Sequence, residues 1–226
     1  MICRVNSLII IAPLFLLILI ALLSLKDISL SRFMPILENG WGPVFLGVIP
    51  PWGWFCETAV VLVLYPYIKE KEKVLPASFY SLLILFLNLE LVTVWCVGIA
   101  GATETASCLF PTFSLARLIK ITSLPIIERQ DALFMVFWVA AMLLKITAFF
   151  FAGVLCLSQW CNLRDFRPII IPSMILVMAL ARYNWKSIVD LFKFSEEVFP
   201  LSTLSINFFL TLILLLVAHL KGFKPR

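Results

Sequence analysis

Three ionisable side chains, Glu57, Glu90 and Lys145, fall inside stretches built otherwise from apolar residues. On insertion scales a charged group at the centre of a bilayer costs about 2.5–3.5 kcal/mol. Each must therefore meet another polar group, interrupted backbone or water. Two chemistries are open to them. One is structural: a Glu–Lys pair that fixes how helices pack. The other is a site for a proton, an ion or a small ligand, and a paired lysine can also stand in for a bound cation.

Glu57 has the strongest claim to the second role, because it follows Pro50-Pro51-Trp52-Gly53 in the middle of a hydrophobic span. Two prolines remove two backbone donors and crowd the preceding turn. In hydrocarbon the freed carbonyls need other partners, so protein or a wet cavity must surround such a segment. The sequence thus predicts a helix broken at residues 50–54. If the second half starts near Gly53 or Trp54, Glu57 lies in its first turn, where free N–H groups and the dipole favour an anion. Those N–H groups suit the carboxylate of a small ligand, and Glu57 suits its ammonium group or a proton. The plainer alternative is a glutamate that only caps its own half-helix.

Glu90 shares a helical face with Phe86, Thr93, Val97 and Gly101. Small and polar residues on that face predict contact with another helix rather than lipid. Lys145 shares a face with Trp138, Ala141, Met142, Ala148 and Ala152. The alanines admit a close neighbour, so Lys145 is expected to point inward. Trp41, Trp160 and Trp185 mark span ends, as interfacial tryptophans do. Trp52 and Trp54 flank the expected break and could wall a pocket.

The elements that must hold these residues are membrane helices. The chain has 226 residues, 62% of them hydrophobic, with only 14% charged and a mean hydropathy of +1.07. A soluble domain carries roughly a quarter charged residues, so the apolar excess needs lipid as solvent. Six spans are expected, at about 7–25, 41–67, 77–101, 131–157, 168–184 and 200–220, each near the ~20 residues a bilayer requires. Together they form a single membrane domain over 1–226. The first reads as a retained span rather than a signal peptide, since the run is long and no small-residue cleavage site closes it. Residues 103–127 and 186–199 read as connections carrying short surface or dipping helices. Cations in the short loops and the tail favour both termini inside.

The net charge of +5 is spread through short loops, which excludes nucleic acid as a partner and leaves the lipid bilayer. Six cysteines without a C-x-x-C pair and one histidine, His219, predict neither a metal site nor a disulfide framework. No nucleophile elbow, zinc-protease helix, P-loop or dinucleotide turn is present. No catalytic residue, cofactor or enzymatic activity is expected.

Several stretches together resemble the GerAB-type B subunits of spore germinant receptors, a permease-like family within the amino acid–polyamine–organocation superfamily. They are Gly40-Trp41-Gly42-Pro43 followed by Glu57, and Phe110-Pro111-Thr112-Phe113-Ser114-Leu115-Ala116-Arg117. Farther on come Glu128-Arg129-Gln130-Asp131-Ala132-Leu133-Phe134 with Trp138, then Lys145, then Asp165-Phe166-Arg167 with Pro172. The resemblance implies an all-α bundle of the LeuT type, with about ten helices in two inverted halves and broken helices around a small ligand. It implies that the span 41–67 is the sixth helix of that bundle and that this chain starts at the fifth, as an N-terminally truncated member. It also implies germinant sensing in the spore inner membrane, an amino-acid-like ligand, and A and C subunits as partners. On that reading Pro50, Pro51 and Gly53 supply the open backbone, Glu57 the polar contact, Lys145 an internal cation and Glu90 a third polar group. The alternatives are a proton-coupled amino-acid transporter, and a structural subunit or inactive fragment that binds no ligand.

Overall fold

A computed structural model describes residues 11, 13–15, 17–22, 24–118 and 130–222. Among them every regular element is helical. The helices are α1 (Pro13–Leu22), α2 (Gly42–Phe55), α3 (Val60–Leu64), α4 (Val74–Ala100), α5 (Ala102–Ser107), α6 (Pro111–Leu118), α7 (Gln130–Trp160), α8 (Arg167–Asn184), α9 (Ile188–Lys193) and α10 (Phe199–Leu220). Four stretches among the described residues are long and apolar enough to cross a bilayer: Gly42–Tyr67, Lys71–Ala100, Ala132–Trp160 and Ile188–Leu220. The chain is an all-α, multi-pass membrane helix bundle. Its outward faces are leucine, isoleucine and phenylalanine, which suits a solvent of acyl chains.

The other two expected spans differ from these four. Of the first, 7–25, residues 7–10, 12, 16 and 23 lie outside the described residues, and the helix there is Pro13–Leu22. The fifth is α8, an 18-residue helix with Pro172 inside it and Arg182 in its last turn. The expected connection 103–127 contains α5 and α6, while 119–129 lies outside the described residues. The expected surface helix at 186–199 is α9, started by Ser187, whose hydroxyl accepts from the Asp190 N–H. It does not end before the last span. A π-helical turn, Phe194–Val198, carries it into α10.

The chain divides into two compact units, Met1–Glu38 with Leu75–Phe151, and Asn39–Val74 with Ala152–Arg226. The core of the first unit is Ile20, Ala21, Trp95, Cys96 and Leu115, with Ile28, Leu91, Val92 and Ile99 against it. Leu115 and Ala116 of the Phe110–Arg117 stretch are both buried, so that stretch is a packing element. Trp95 donates through Nε1 to the Ser24 hydroxyl at 2.6 Å. Ser24 in turn donates to the carbonyls of Ile20 and Ala21 at 2.8 and 3.3 Å. A fully buried hydroxyl and an indole N–H thus satisfy each other, as buried polar groups must. The C-terminal end of α4 is closed by the same segment: the Ser29 N–H donates to Gly98 O at 3.0 Å, and Arg32 donates to the carbonyls of Gly98 and Ile99. Helix ends leave carbonyls without partners, and here a loop supplies them. Gly98 admits a close approach there: a Cβ on it would meet Ile28 Cγ2 at 2.8 Å and force a shift.

In the second unit α2 and the turn that follows it pack against α10. The closest approach is at Gly53, where a Cβ would stand 2.7 Å from Pro200 Cα and 3.0 Å from Pro200 Cβ. Both residues are buried.

Candidate functional site

The proline pair does not break its helix. α2 runs through Pro50 and Pro51 to Phe55, so the interruption expected at 50–54 is corrected. Proline fixes φ near −65°, which is helical, and what it removes is the N–H. The carbonyls of Leu46 and Gly47 lose their i+4 donors, yet the helix continues to Phe55. The winding changes one turn later. Cys56–Ala59 is 3₁₀-helical, with helical dihedrals on both flanks, and α-helix resumes at Val60–Leu64. The Val60 N–H reaches back to the carbonyls of Glu57 and Thr58 rather than to Cys56. Thr58 turns its hydroxyl onto the carbonyl of Phe55. A 3₁₀ stretch inside a longer helix often marks a functional hinge or a sequence under strain.

Glu57 therefore sits within the 3₁₀ turn itself, not in the first turn of a separate half-helix. It is half-buried and engaged within the chain. Its turn packs on α10, where Ser202, Thr203 and Asn207 are also half-buried. Ser202 donates to Phe199 O at 3.0 Å, and Asn207 donates to Thr203 O at 2.9 Å. Each thus gives a hydrogen to a carbonyl of its own helix. This part of the second unit carries polar groups from two elements within an apolar span. Trp52 and Trp54, expected to wall a pocket, are each about half exposed.

Gly53 has a different part from the one its sequence setting suggests. Its open side is filled by Pro200, so its value is close packing between α2 and α10 rather than bare backbone. Sequence reasoning missed Pro200, although a proline that opens a helix is a recognisable signal.

Glu90 and Lys145 belong to the first unit. The packed side of α4 carries Trp95, Cys96 and Gly98. Glu90 and Thr93 stand on the other side and are exposed, with Phe86 48% exposed one turn before. Among the described residues of the first unit no helix covers that face. Thr93 is self-sufficient, donating to Leu89 O at 2.9 Å. Lys145 is likewise exposed on α7, not turned inward, and it is engaged within the chain. The buried residues of α7 are Ala152, Val154, Leu155 and Ser158, beyond Lys145. Among the described residues no group of histidines, cysteines and carboxylates is arranged to hold a metal.

Residues 1–189 match the family described as "Spore germination protein", the spore permeases. The chain belongs to that family. Spore germination protein XB of Bacillus anthracis is 27% identical over 206 residues, which make up 88% of this chain and 54% of that relative. The chain thus spans about half the length of the curated relative it matches. No solved structure matches it. As a spore permease the chain places a half-buried glutamate, a tightened helix turn and a proline pair in one membrane span.

Proposed function

We propose that this spore permease is the permease-like subunit of a germinant receptor, binding a small amino-acid-like germinant beside Glu57 and passing its occupancy to partner subunits. The observation that carries the reading is the 3₁₀ turn at Cys56–Ala59 inside a span of the family. A change of winding alters which carbonyls are paired, and unpaired carbonyls at membrane depth suit an ammonium group. Glu57 supplies the matching negative charge. Pro50 and Pro51 contribute by leaving the carbonyls of the preceding turn without N–H partners. Gly53 and Pro200 set the spacing of the two helices that flank the site. A and C subunits are the proposed partners, and the spore inner membrane is the proposed location. No bond-making step is assigned to the protein.

The test is germination of spores carrying Glu57→Gln, followed as loss of refractility against a panel of amino acids, with protein levels matched by immunoblot. The expected outcome is at least a tenfold rise in the germinant concentration required, equivalent to about 1.4 kcal/mol of lost binding. An unchanged response at normal protein level refutes the reading. Proton-coupled uptake of labelled amino acid into vesicles, abolished by the same substitution, would replace sensing with transport.

A further inference from the structure

We infer that the π turn Phe194–Val198 is a winding switch. By changing from π to α it turns the short helix α9 about the axis of α10, while α10 stays seated on α2. The device lies wholly within the second unit.

The turn has a cause in the sequence. Pro200, in the first turn of α10, has no N–H, so the carbonyl of Glu196 lacks its helical donor, and the proline ring crowds that same carbonyl. The chain answers with wider winding: the Phe199 N–H donates to Phe194 O, five residues back. A single π turn inside an α-helix is rare and is frequent at functional sites. It holds one residue more than an α turn. Rewinding to α conserves the bond, because the same N–H then takes the Ser195 carbonyl, one residue nearer. Everything ahead of the turn then rotates by about 100°, one residue's share of a 3.6-residue turn. In the rewound form Lys193 takes the place that Phe192 holds in the π form.

What stands on either side of the turn suits it to that motion. On one side α10 is fixed. Pro200 is buried, its Cα would lie 2.7 Å from a Cβ on Gly53, and α2 packs on the π turn as well. On the other side α9 is a closed body that moves whole. The Ser187 hydroxyl accepts from the Asp190 N–H at 3.2 Å. The Trp185 ring meets Phe194 edge to face, with centroids 4.9 Å apart. A residue ahead of the cap and the first residue of the turn are thus clasped across the helix. Little else is held: neither α9 nor the turn has a buried residue. Along α9 Phe192 is half-buried and its neighbours Leu191 and Lys193 are exposed. Segments with few buried contacts open at low cost, so packing opposes the rotation weakly, and the shelter at residue 192 reports it.

The test reads maleimide labelling of single cysteines placed at Leu191, Phe192 or Lys193 of the full chain in membranes, with the six native cysteines replaced by alanine. Two variants push the winding apart. Pro200→Ala restores a donor to Glu196 O and favours α winding with the residue count unchanged. It should transfer protection from position 192 to position 193. Deleting Glu197 removes the extra residue, so the segment is α-wound with α9 left where the π turn had put it. Labelling at position 192 should then slow severalfold below the parent chain, whose own rewinding exposes that site. Protection that stays at 192 in Pro200→Ala overturns the inference, and so does labelling at 192 that the deletion leaves unaltered. Fast, equal labelling at all three positions in Pro200→Ala overturns it too, because α9 is then frayed rather than turned. If the deletion variant fails to fold, the transfer in Pro200→Ala decides alone.

Discussion

The two units solve one problem by opposite means. In the first, the end of α4 is held by donors: Trp95 Nε1 on Ser24, the Ser29 N–H on Gly98 O, and Arg32 on the last carbonyls. In the second, α2 meets α10 where donors are missing, at Pro200 against Gly53, one turn from a proline pair. The first contact is specified by bonds whose loss leaves buried polar groups unpaired. At the second the close approach is steric, Gly53 against Pro200, with a change of winding directly beyond it. A bonded joint resists rearrangement, because each bond must be broken without water to replace it. The half-buried glutamate of the family's span lies beside the steric joint. The contrast places the proposed ligand site in the unit whose helices meet by close packing at a glycine.

The contrast can be broken by mutation, read as thermal unfolding in detergent. The largest effect is expected from Trp95→Ala, which removes the ring and its bond and should cost about 3–5 kcal/mol. Gly53→Ala comes next, because its Cβ meets Pro200 Cα at 2.7 Å; overpacking of this kind costs about 1–3 kcal/mol. Pro200→Ala in the same chain should not rescue it, since the obstructing atom is backbone. Rescue would show that the joint is looser than described. Trp95→Phe keeps most of the ring and loses the N–H, with an expected cost of about 1–2 kcal/mol for the bond the Ser24 oxygen no longer accepts. A null result there would make the first joint steric too. Thr58→Val should have the smallest effect, under about 1 kcal/mol, because Phe55 O keeps other access in the 3₁₀ turn.

Much of this molecule is legible in its sequence. Apolar runs of membrane length fix the helices at 42–67, 71–100, 132–160 and 188–220, because lipid offers the backbone no partner and each run must satisfy itself. The motif order around Phe110–Arg117 and Asp165–Arg167 sufficed for the family. The exact place where a helix changes winding was not legible. Pro50 and Pro51 announce missing donors, but proline's φ is helical, and only the packing of the following turn on α10 sets the departure at Cys56–Ala59. Which way Glu90 and Lys145 face was equally hidden. Small neighbours mark a face fit for contact, but the buried side of α4 was won by Trp95 and Gly98, whose partners at Ser24 and Ile28 lie about seventy residues away in the chain. Local pattern determines what each helix can bury, and the tertiary structure decides which of the competing faces does so, because only one side of a helix can meet a given neighbour.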